Sequence, residues 1–523
     1  MNLANSLSLE KQRFTDLLTS FKQNKNPLYA GHLLARAAKL FKDRDALIFQ
    51  NEKITYGLLY KKACLLQAEI EKIIKKSTEP VHIAICFENC PEFYIAYFAA
   101  WQTGAVVIPL STFLSNAEIT HILSDAKPCL IITQDDKIDF FKNALEEKDI
   151  PILSSSSFLE NDNYPLEEKL FYIPEEEPCL LLYTSGTTGM PKGVMLSSKN
   201  ILTNVAQIVA RFGLTSHERV LAILPLFHVF AQNTSIWSSL FLGATIILVQ
   251  KIERRLLLEG LTHKPTVFLG VPALYGLLCI LRKAPLESVS YFASGGDALP
   301  DKIRMAFAQI YGRKIINGYG LTETSPVISV DFDDELSYTN TVGKPVCGIQ
   351  LSIRDKHNKE LKKGHIGQLW VKGDNIMLGY HNAPEATAEV IVDGWFNTGD
   401  CAYIDTQSKL VITGREKDLI INKGLNIYPQ EIENTLLSFP NIIRVAVVGK
   451  PDDQEGEIPV AFVQIQKNEK NIELKLKNFC RQYIANYKIP RAFFCDTQEL
   501  PLTSTGKVDK KKLREKIKSD CFF

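Results

Sequence analysis

Short apolar runs recur along the chain as far as residue 318, and each breaks off at a turn: VHIAICF (81–87), AVVIPL (105–110), CLIIT (129–133), CLLLYT (179–184), RVLAILP (219–225), ATIILV (244–249), VSYFAS (289–294) and RKIING (313–318). These runs lack a regular polar alternation, so neither face of such a strand is written for water. Strands covered on both faces belong to sheets packed between helices. Helical patterns lie between the runs. From Thr55 to Ile74, the residues Leu59, Ala63, Leu66, Ile70 and Ile73 step by three and four, the spacing of a helix with one buried stripe. The expected fold class is therefore α/β. Several runs pass directly into clusters of Gly, Ser and Thr, and open α/β sheets bind ligands at the carboxyl ends of their strands. That placement points to a nucleotide or phosphate site.

Past about residue 414 the texture changes. Strands IRVAVVG (443–449) and VAFVQIQ (460–466), a helical stretch near 471–487 and a basic tail make a compact unit of ordinary domain size. The polar GREKD (414–418) stands at the junction. We expect a large N-terminal domain over 1–413, a hinge at 414–418 and a small α+β domain over 419–523.

The net charge of +1 supplies no field for DNA or RNA, so a charge-driven nucleic-acid binder is excluded. Eleven cysteines are scattered without a Cys-x-x-Cys pair, a usage that suits reduced thiols in a cytoplasmic protein. Glu10, Lys11 and Arg13 interrupt any secretory apolar core. The uncharged stretch Thr266 to Leu281 is shorter than a bilayer span of about 20 residues and is cut by Pro272, so no transmembrane helix is expected. Peripheral contact with a membrane surface stays open.

The densest chemistry lies in YTSGTTGMPKGVMLS (183–197), directly after an apolar run. Glycines 186, 189 and 193 let backbone approach a ligand closely, and exposed amides there can cradle an anion. Ser185, Thr187 and Thr188 add hydroxyl donors and Lys192 a positive charge. It is not a Walker A loop, because Lys192 is followed by Gly193. A plain Gly/Ser/Thr turn would use the same residue types. In GYGLTET (318–324), Tyr319 offers a flat ring to a purine, Thr322 a hydroxyl to a phosphate and Glu323 a hard oxygen to Mg2+. A turn with a core tyrosine and a solvated glutamate reads equally well from that segment alone.

Taken together, the segments resemble the adenylate-forming superfamily of acyl-CoA synthetases, firefly luciferase and nonribosomal peptide synthetase adenylation domains. Beyond the phosphate loop, the motifs recur in order over nearly the whole chain: LPLFHVF (224–230), SGGDAL (294–299), NGYGLTETSPV (317–327), GY (379–380), DGWFNTGD (393–400), GREKDLIINKGLNIYPQEIE (414–433) and TSTGKVDKKKLR (503–514). The family's habits differ at three places, where Ser198, Asp297 and Gln368 replace commoner residues.

The resemblance implies an acid–thiol ligase that joins a carboxylate to MgATP, giving acyl-AMP and pyrophosphate, and then to CoA. It implies ATP binding by Thr184, Ser185, Gly186, Thr187, Thr188, Gly189, Lys192, Gly296, Tyr319, Gly320, Asp400 and Arg415, with Asp400 on the ribose. Glu323 and Thr188 would hold Mg2+, and Lys507, Thr322 and Glu323 would carry the chemistry. His228, Gly295 and Gly318 would line the acyl site. Lys417 at the hinge and Gly424 would serve the second step, for which the small domain swings. Lys507 lies in a run of seven Lys or Arg against two acids, which is usually a solvated face, but the Ser-Thr-Gly turn before it matches the catalytic lysine loop. The family's amino-acid-activating members place an Asp near the segment that Phe227–Ile236 resembles, and this segment contains no acid, so the resemblance implies an apolar substrate, a medium- or long-chain fatty acid. Aromatic acids, a carrier protein's phosphopantetheine as acceptor, and an inactive scaffold copy of the fold are the alternatives.

Overall fold

The computed structural model describes residues 3–22, 28–74, 81–145, 150–156, 171, 173–184, 190–332, 341–423, 425–452, 454–502 and 508–519. The architecture is mixed α/β, with a large N-terminal domain and a small C-terminal one. Two large sheets organise the first. One has nine strands, in the spatial order Lys344–Pro345, Val327–Val330, Ile316–Gly320, Tyr291–Ser294, Val267–Gly270, Arg219–Ala222, Thr245–Leu248, Asp45–Phe49 and Glu52–Thr55. The other has seven: Gly379–Tyr380, Lys192–Ser197, Pro178–Thr184, Val106–Pro109, His82–Cys86, Leu130–Thr133 and Ile152–Ser154. Central pairs are parallel in both; the nine-stranded sheet turns antiparallel at both ends, and the seven-stranded one only at the Gly379–Tyr380 end, its Ile152–Ser154 edge staying parallel.

The non-alternating runs have a direct cause. In His82–Cys86, Ile83 and Ile85 enter the main core, while Ala84 and Cys86 face a second cluster with Ile119, Ile122 and Phe141. Both faces are thus dry. The helix Pro91–Gln102 is apolar all round because it lies inside this core. Trp101 donates from its indole to Cys179 O at 2.7 Å, and Tyr94 from its hydroxyl to Ser235 O at 3.1 Å. The periodic segment 55–74 forms the helix Tyr56–Ile73, capped by the Thr55 side chain.

A longer uncharged stretch than Thr266–Leu281 exists at 220–250. It is divided between the strands Arg219–Ala222 and Thr245–Leu248, the π-helical turn Gln232–Trp237 and two short α-helices. No helix among the described residues is long and apolar enough to cross a membrane. The ten described cysteines are all free thiols.

A third sheet, of five strands, carries Trp395–Ile404 against Leu410–Arg415 and sets Asp400 opposite Arg415. Beyond the 3-10 turn Glu416–Asp418 the C-terminal domain has its own five-stranded sheet and its own core, built on Ile420, Ile432, Val447, Ala461, Val463, Leu476 and Phe493. Its last described helix is Lys510–Ser519.

Candidate active site

The strands Pro178–Thr184 and Lys192–Ser197 form a hairpin in which Thr184 faces Lys192 and Tyr183 faces Gly193. Its tip, with Ser185, Gly186, Thr187, Thr188 and Gly189, lies outside the described residues. Gly193 has a packing duty. A Cβ there would sit 2.8 Å from Leu181 Cδ1 and 3.1 Å from Tyr183 Cζ, so glycine is also needed for the close fit between strands.

The segment Gly318–Thr324 leaves the nine-stranded sheet and turns sharply. Gly320 is required there: a Cβ would fall 1.9 Å from Pro326 O. Leu321 N donates to that same carbonyl at 3.1 Å, and Thr324 adds its hydroxyl. The turn is tied from below by buried amides that the sequence did not flag. Asn204 donates to Gln207 Oε1 at 2.7 Å and to Val327 O at 2.9 Å, and accepts from Asn233 Nδ2 at 2.8 Å. Asn375 donates to Thr324 O at 2.7 Å, and Ser325 to Asn375 O at 2.9 Å. Thr322 and Glu323 are thereby held on a rigid support.

Glu323 is half-buried, and burial pushes its carboxyl up from the usual range. Tyr380 donates its hydroxyl to Glu323 Oε1 at 3.0 Å. No Lys or Arg lies within ion-pair distance of Glu323 among the described residues, and no cluster of three or more His, Cys, Asp or Glu forms a protein-made metal cage there. That donor set fits Mg2+ that arrives with phosphate oxygens, since such ions take only one or two carboxylates from the protein.

Tyr319 donates from its hydroxyl to Asp400 Oδ2 at 2.5 Å, while Arg415 Nε meets Oδ1 at 2.9 Å. Asp400 is buried, with 4% exposure, and its strand register places Arg415 directly across. The carboxylate raises the Arg415 pKa, and burial followed by the Asp400 charge raises that of Tyr319. Three residues read separately from the sequence therefore form one charge-assisted unit.

On the opposite flank His228 caps the helix start at Val229, its Nδ1 accepting from Phe230 N at 3.2 Å. Gly295 packs against Phe230, whose Cζ would lie 3.4 Å from an added Cβ, and Gly318 O is 3.7 Å from the same point. Phe230 thus joins His228, Gly295 and Gly318. Gly296 takes φ +81, which favours glycine. Lys507 lies outside the described residues, as does Gly424; Leu502 and Val508 form an isolated antiparallel bridge. Lys417 occupies the 3-10 turn between the domains.

The three departures resolve physically. Ser198 is buried, its Oγ accepting from Ala30 N at 2.8 Å. Asp297 is exposed and bonds its own loop at Ala298 N. Gln368 donates its amide to the Glu416 carboxylate in the junction turn. A glutamate at 368 would bring two like charges together there.

The fold and this constellation define an AMP-binding enzyme. The chain matches that family over residues 34–381 and the AMP-binding enzyme C-terminal domain over 431–507, and it belongs to the family. It is an adenylate-forming acid–thiol ligase, of a kind that uses ATP, Mg2+ and CoA. It is 33% identical to the long-chain-fatty-acid–CoA ligase of Bacillus subtilis (strain 168), over 92% of this chain and 93% of that protein. It is 31% identical to the 2-succinylbenzoate–CoA ligase of Bacillus velezensis, over 93% and 98%. Among solved structures, ATP-bound MatB from Rhodopseudomonas palustris superposes with a TM-score of 0.86 at 27% identity, covering 94% of this chain and 99% of the other.

Proposed function

We propose that the chain activates a medium- or long-chain fatty acid as its acyl-adenylate, with release of pyrophosphate, and then transfers the acyl group to CoA. The observations that support this reading are that Tyr319, Asp400 and Arg415 form one hydrogen-bonded unit, that Glu323 and Lys192 share Tyr380, and that Gly295 lies against Phe230 and Gly318. Asp400 and Arg415 hold the ribose, Tyr319 and Gly320 meet the base, and Thr184, Ser185–Gly189, Lys192 and Gly296 surround the phosphates. Glu323, with Thr188, holds Mg2+, which when bound neutralises charge on the phosphate oxygens.

In the first step a carboxylate oxygen attacks the α-phosphorus and pyrophosphate departs. The carboxylate is already ionised at neutral pH, so no general base is needed. The obstacle is anion meeting anion, and the Lys507 ammonium with the Thr322 hydroxyl relieves it where charge develops. In the second step the thiol sulfur attacks the acyl carbon and AMP leaves. The small domain, 419–523, turns about 414–418 between the steps, with Lys417 at the pivot and Gly424 near the thiol path.

An apolar acid is favoured because Phe227–Ile236 bears no carboxylate and Phe230 lies against Gly295. The test is Mg2+-dependent pyrophosphate release over straight-chain acids from butyrate to palmitate, with benzoate and 2-succinylbenzoate alongside. A buried methylene is worth about 0.8 kcal/mol, roughly fourfold in kcat/KM, so the specificity constant should climb with chain length. A flat series, or an aromatic acid above every fatty acid, would replace this substrate class. Running the second step with CoA and with a phosphopantetheinyl carrier protein identifies the acceptor.

A further inference from the structure

The pair Gly379–Tyr380 is a two-residue strand on the edge of the seven-stranded sheet, antiparallel to the strand that carries Lys192. Its place is tightly fixed. Leu378 N donates to Met195 O at 3.0 Å, and His381 N to Gly193 O at 2.7 Å. Tyr380 N donates to Thr387 Oγ1 at 2.9 Å. Gly379 takes φ +145, and a Cβ there would meet the Thr387 methyl at 2.7 Å, so the strand can enter only with glycine at this point.

This strand sends the Tyr380 side chain between two candidate site residues of opposite charge. Its hydroxyl donates to Glu323 Oε1 at 3.0 Å, and the face of its ring lies 5.3 Å from Lys192 Nζ. The aromatic face attracts the cation and the phenolic proton attracts the anion, so one side chain satisfies both without letting them join. Neither Lys192 nor Glu323 enters an ion pair among the described residues. A direct Lys192–Glu323 pair would consume both charges that a magnesium triphosphate needs.

We propose that Tyr380 is a positioning residue for magnesium–nucleotide binding: a spacer that keeps the Lys192 ammonium and the Glu323 carboxylate apart and sets the carboxylate's orientation. The inference rests on the reading of Glu323 as the Mg2+ carboxylate. A lone carboxylate has no sister ligands to fix it, so its hydrogen-bond partner decides where its second oxygen lies.

The test is equilibrium binding of ATP by titration calorimetry, with and without Mg2+, on the full chain. Wild type should bind ATP more tightly with Mg2+. Tyr380→Phe keeps the ring and loses one hydrogen bond to a charged group. The Mg2+ enhancement should fall roughly tenfold, while Mg2+-free binding stays within about twofold of wild type. Tyr380→Leu loses the ring as well and releases Lys192 toward Glu323, so Mg2+-free binding should also weaken, by roughly two- to fivefold. If Tyr380→Leu does not fold, Tyr380→Phe decides alone. A full Mg2+ enhancement in Tyr380→Phe overturns the spacer role, and so does an equal loss with and without Mg2+, which is what mere structural damage would give. If wild type itself gains nothing from Mg2+, it is the Glu323 assignment that fails.

Discussion

Replacing Gly320 by alanine puts the geometry of the Gly318–Thr324 turn under direct strain. A methyl at this position sits 1.9 Å from Pro326 O, 2.6 Å from the carbonyl carbon and 3.0 Å from Val327 Cα. All three are backbone atoms that no rotamer change can move aside. Non-bonded atoms of this kind settle at about 3.5 Å, so the carbonyl must retreat by more than about 1 Å. That carbonyl accepts from Leu321 N at 3.1 Å and from the Thr324 hydroxyl, and the retreat loosens both bonds. Two weakened buried hydrogen bonds amount to about 2–4 kcal/mol of lost stability. Thr322 and Glu323 lie on the same turn and move with it, and a misplacement near 1 Å costs roughly 10²-fold in rate. The assays are urea unfolding and acid-dependent pyrophosphate release. Gly276→Ala is the control, because its added methyl finds only Ile303 Cδ1 at 3.6 Å inside the helix Pro272–Leu281. That control should keep its activity and gain up to about 1 kcal/mol. Wild-type pyrophosphate release from Gly320→Ala would refute the argument that this close approach positions Thr322 and Glu323.

Three further outcomes follow from the same reasoning. Lys507→Ala should lose roughly 10²–10³-fold in adenylation, yet much less in thioester formation from supplied acyl-AMP; equal losses in the two half-reactions would contradict its role. Asn204→Ala removes four hydrogen bonds to Gln207, Asn233 and both polar groups of Val327. It should cost about 2–4 kcal/mol, read as a fall in the urea midpoint, and an unchanged midpoint would show that the buried amides are dispensable. In the small domain, hydrogen bonds from Asn422, Arg491 and Lys423 hold the Glu455 carboxyl down to about 2 from an ordinary 4.5. A depressed carboxyl contributes stability in full above its ordinary value and loses it as pH falls toward the folded one. Carbon NMR should therefore find Glu455 titrating near 2, and Glu455→Gln should flatten the acid limb of stability between those values; a midpoint near 4.5 would contradict the contacts.

Much of this molecule could be read from its residues, for identifiable reasons. The apolar runs near Ile83, Val107 and Leu130 were legible because both faces of their sheet are covered, which leaves no alternation to misread. The helix Pro91–Gln102 gave no stripe to find, since every face of it is buried. Strands of two residues, such as Gly379–Tyr380 and Ile391–Val392, are too short to carry a period at all.

At the site, Tyr319, Glu323, Asp400 and Arg415 stood in motifs, but their hydrogen bonds depend on the register between separate strands, which no local pattern encodes. The same holds for Asn204 in the helix Ser198–Phe212 and Asn233 in the π-helical turn Gln232–Trp237, each with other polar residues beside it, so neither stands out in the sequence. Tyr380 stands in its motif with no role legible from the sequence, because its two partners come from distant parts of the chain. Gly193 carries a duty its motif does not announce, the packing of Leu181 and Tyr183.

An adenylate-forming ligase joins an organic acid to the α-phosphorus of ATP before any thiol takes part. Isotope exchange between pyrophosphate and ATP, run without CoA, measures that step alone. The account predicts exchange that requires Mg2+ and a fatty acid together, with AMP and the acyl thioester accumulating only once CoA is added. Hydrolysis to ADP and phosphate, or no exchange with any acid from butyrate to palmitate or with either aromatic acid, would contradict it.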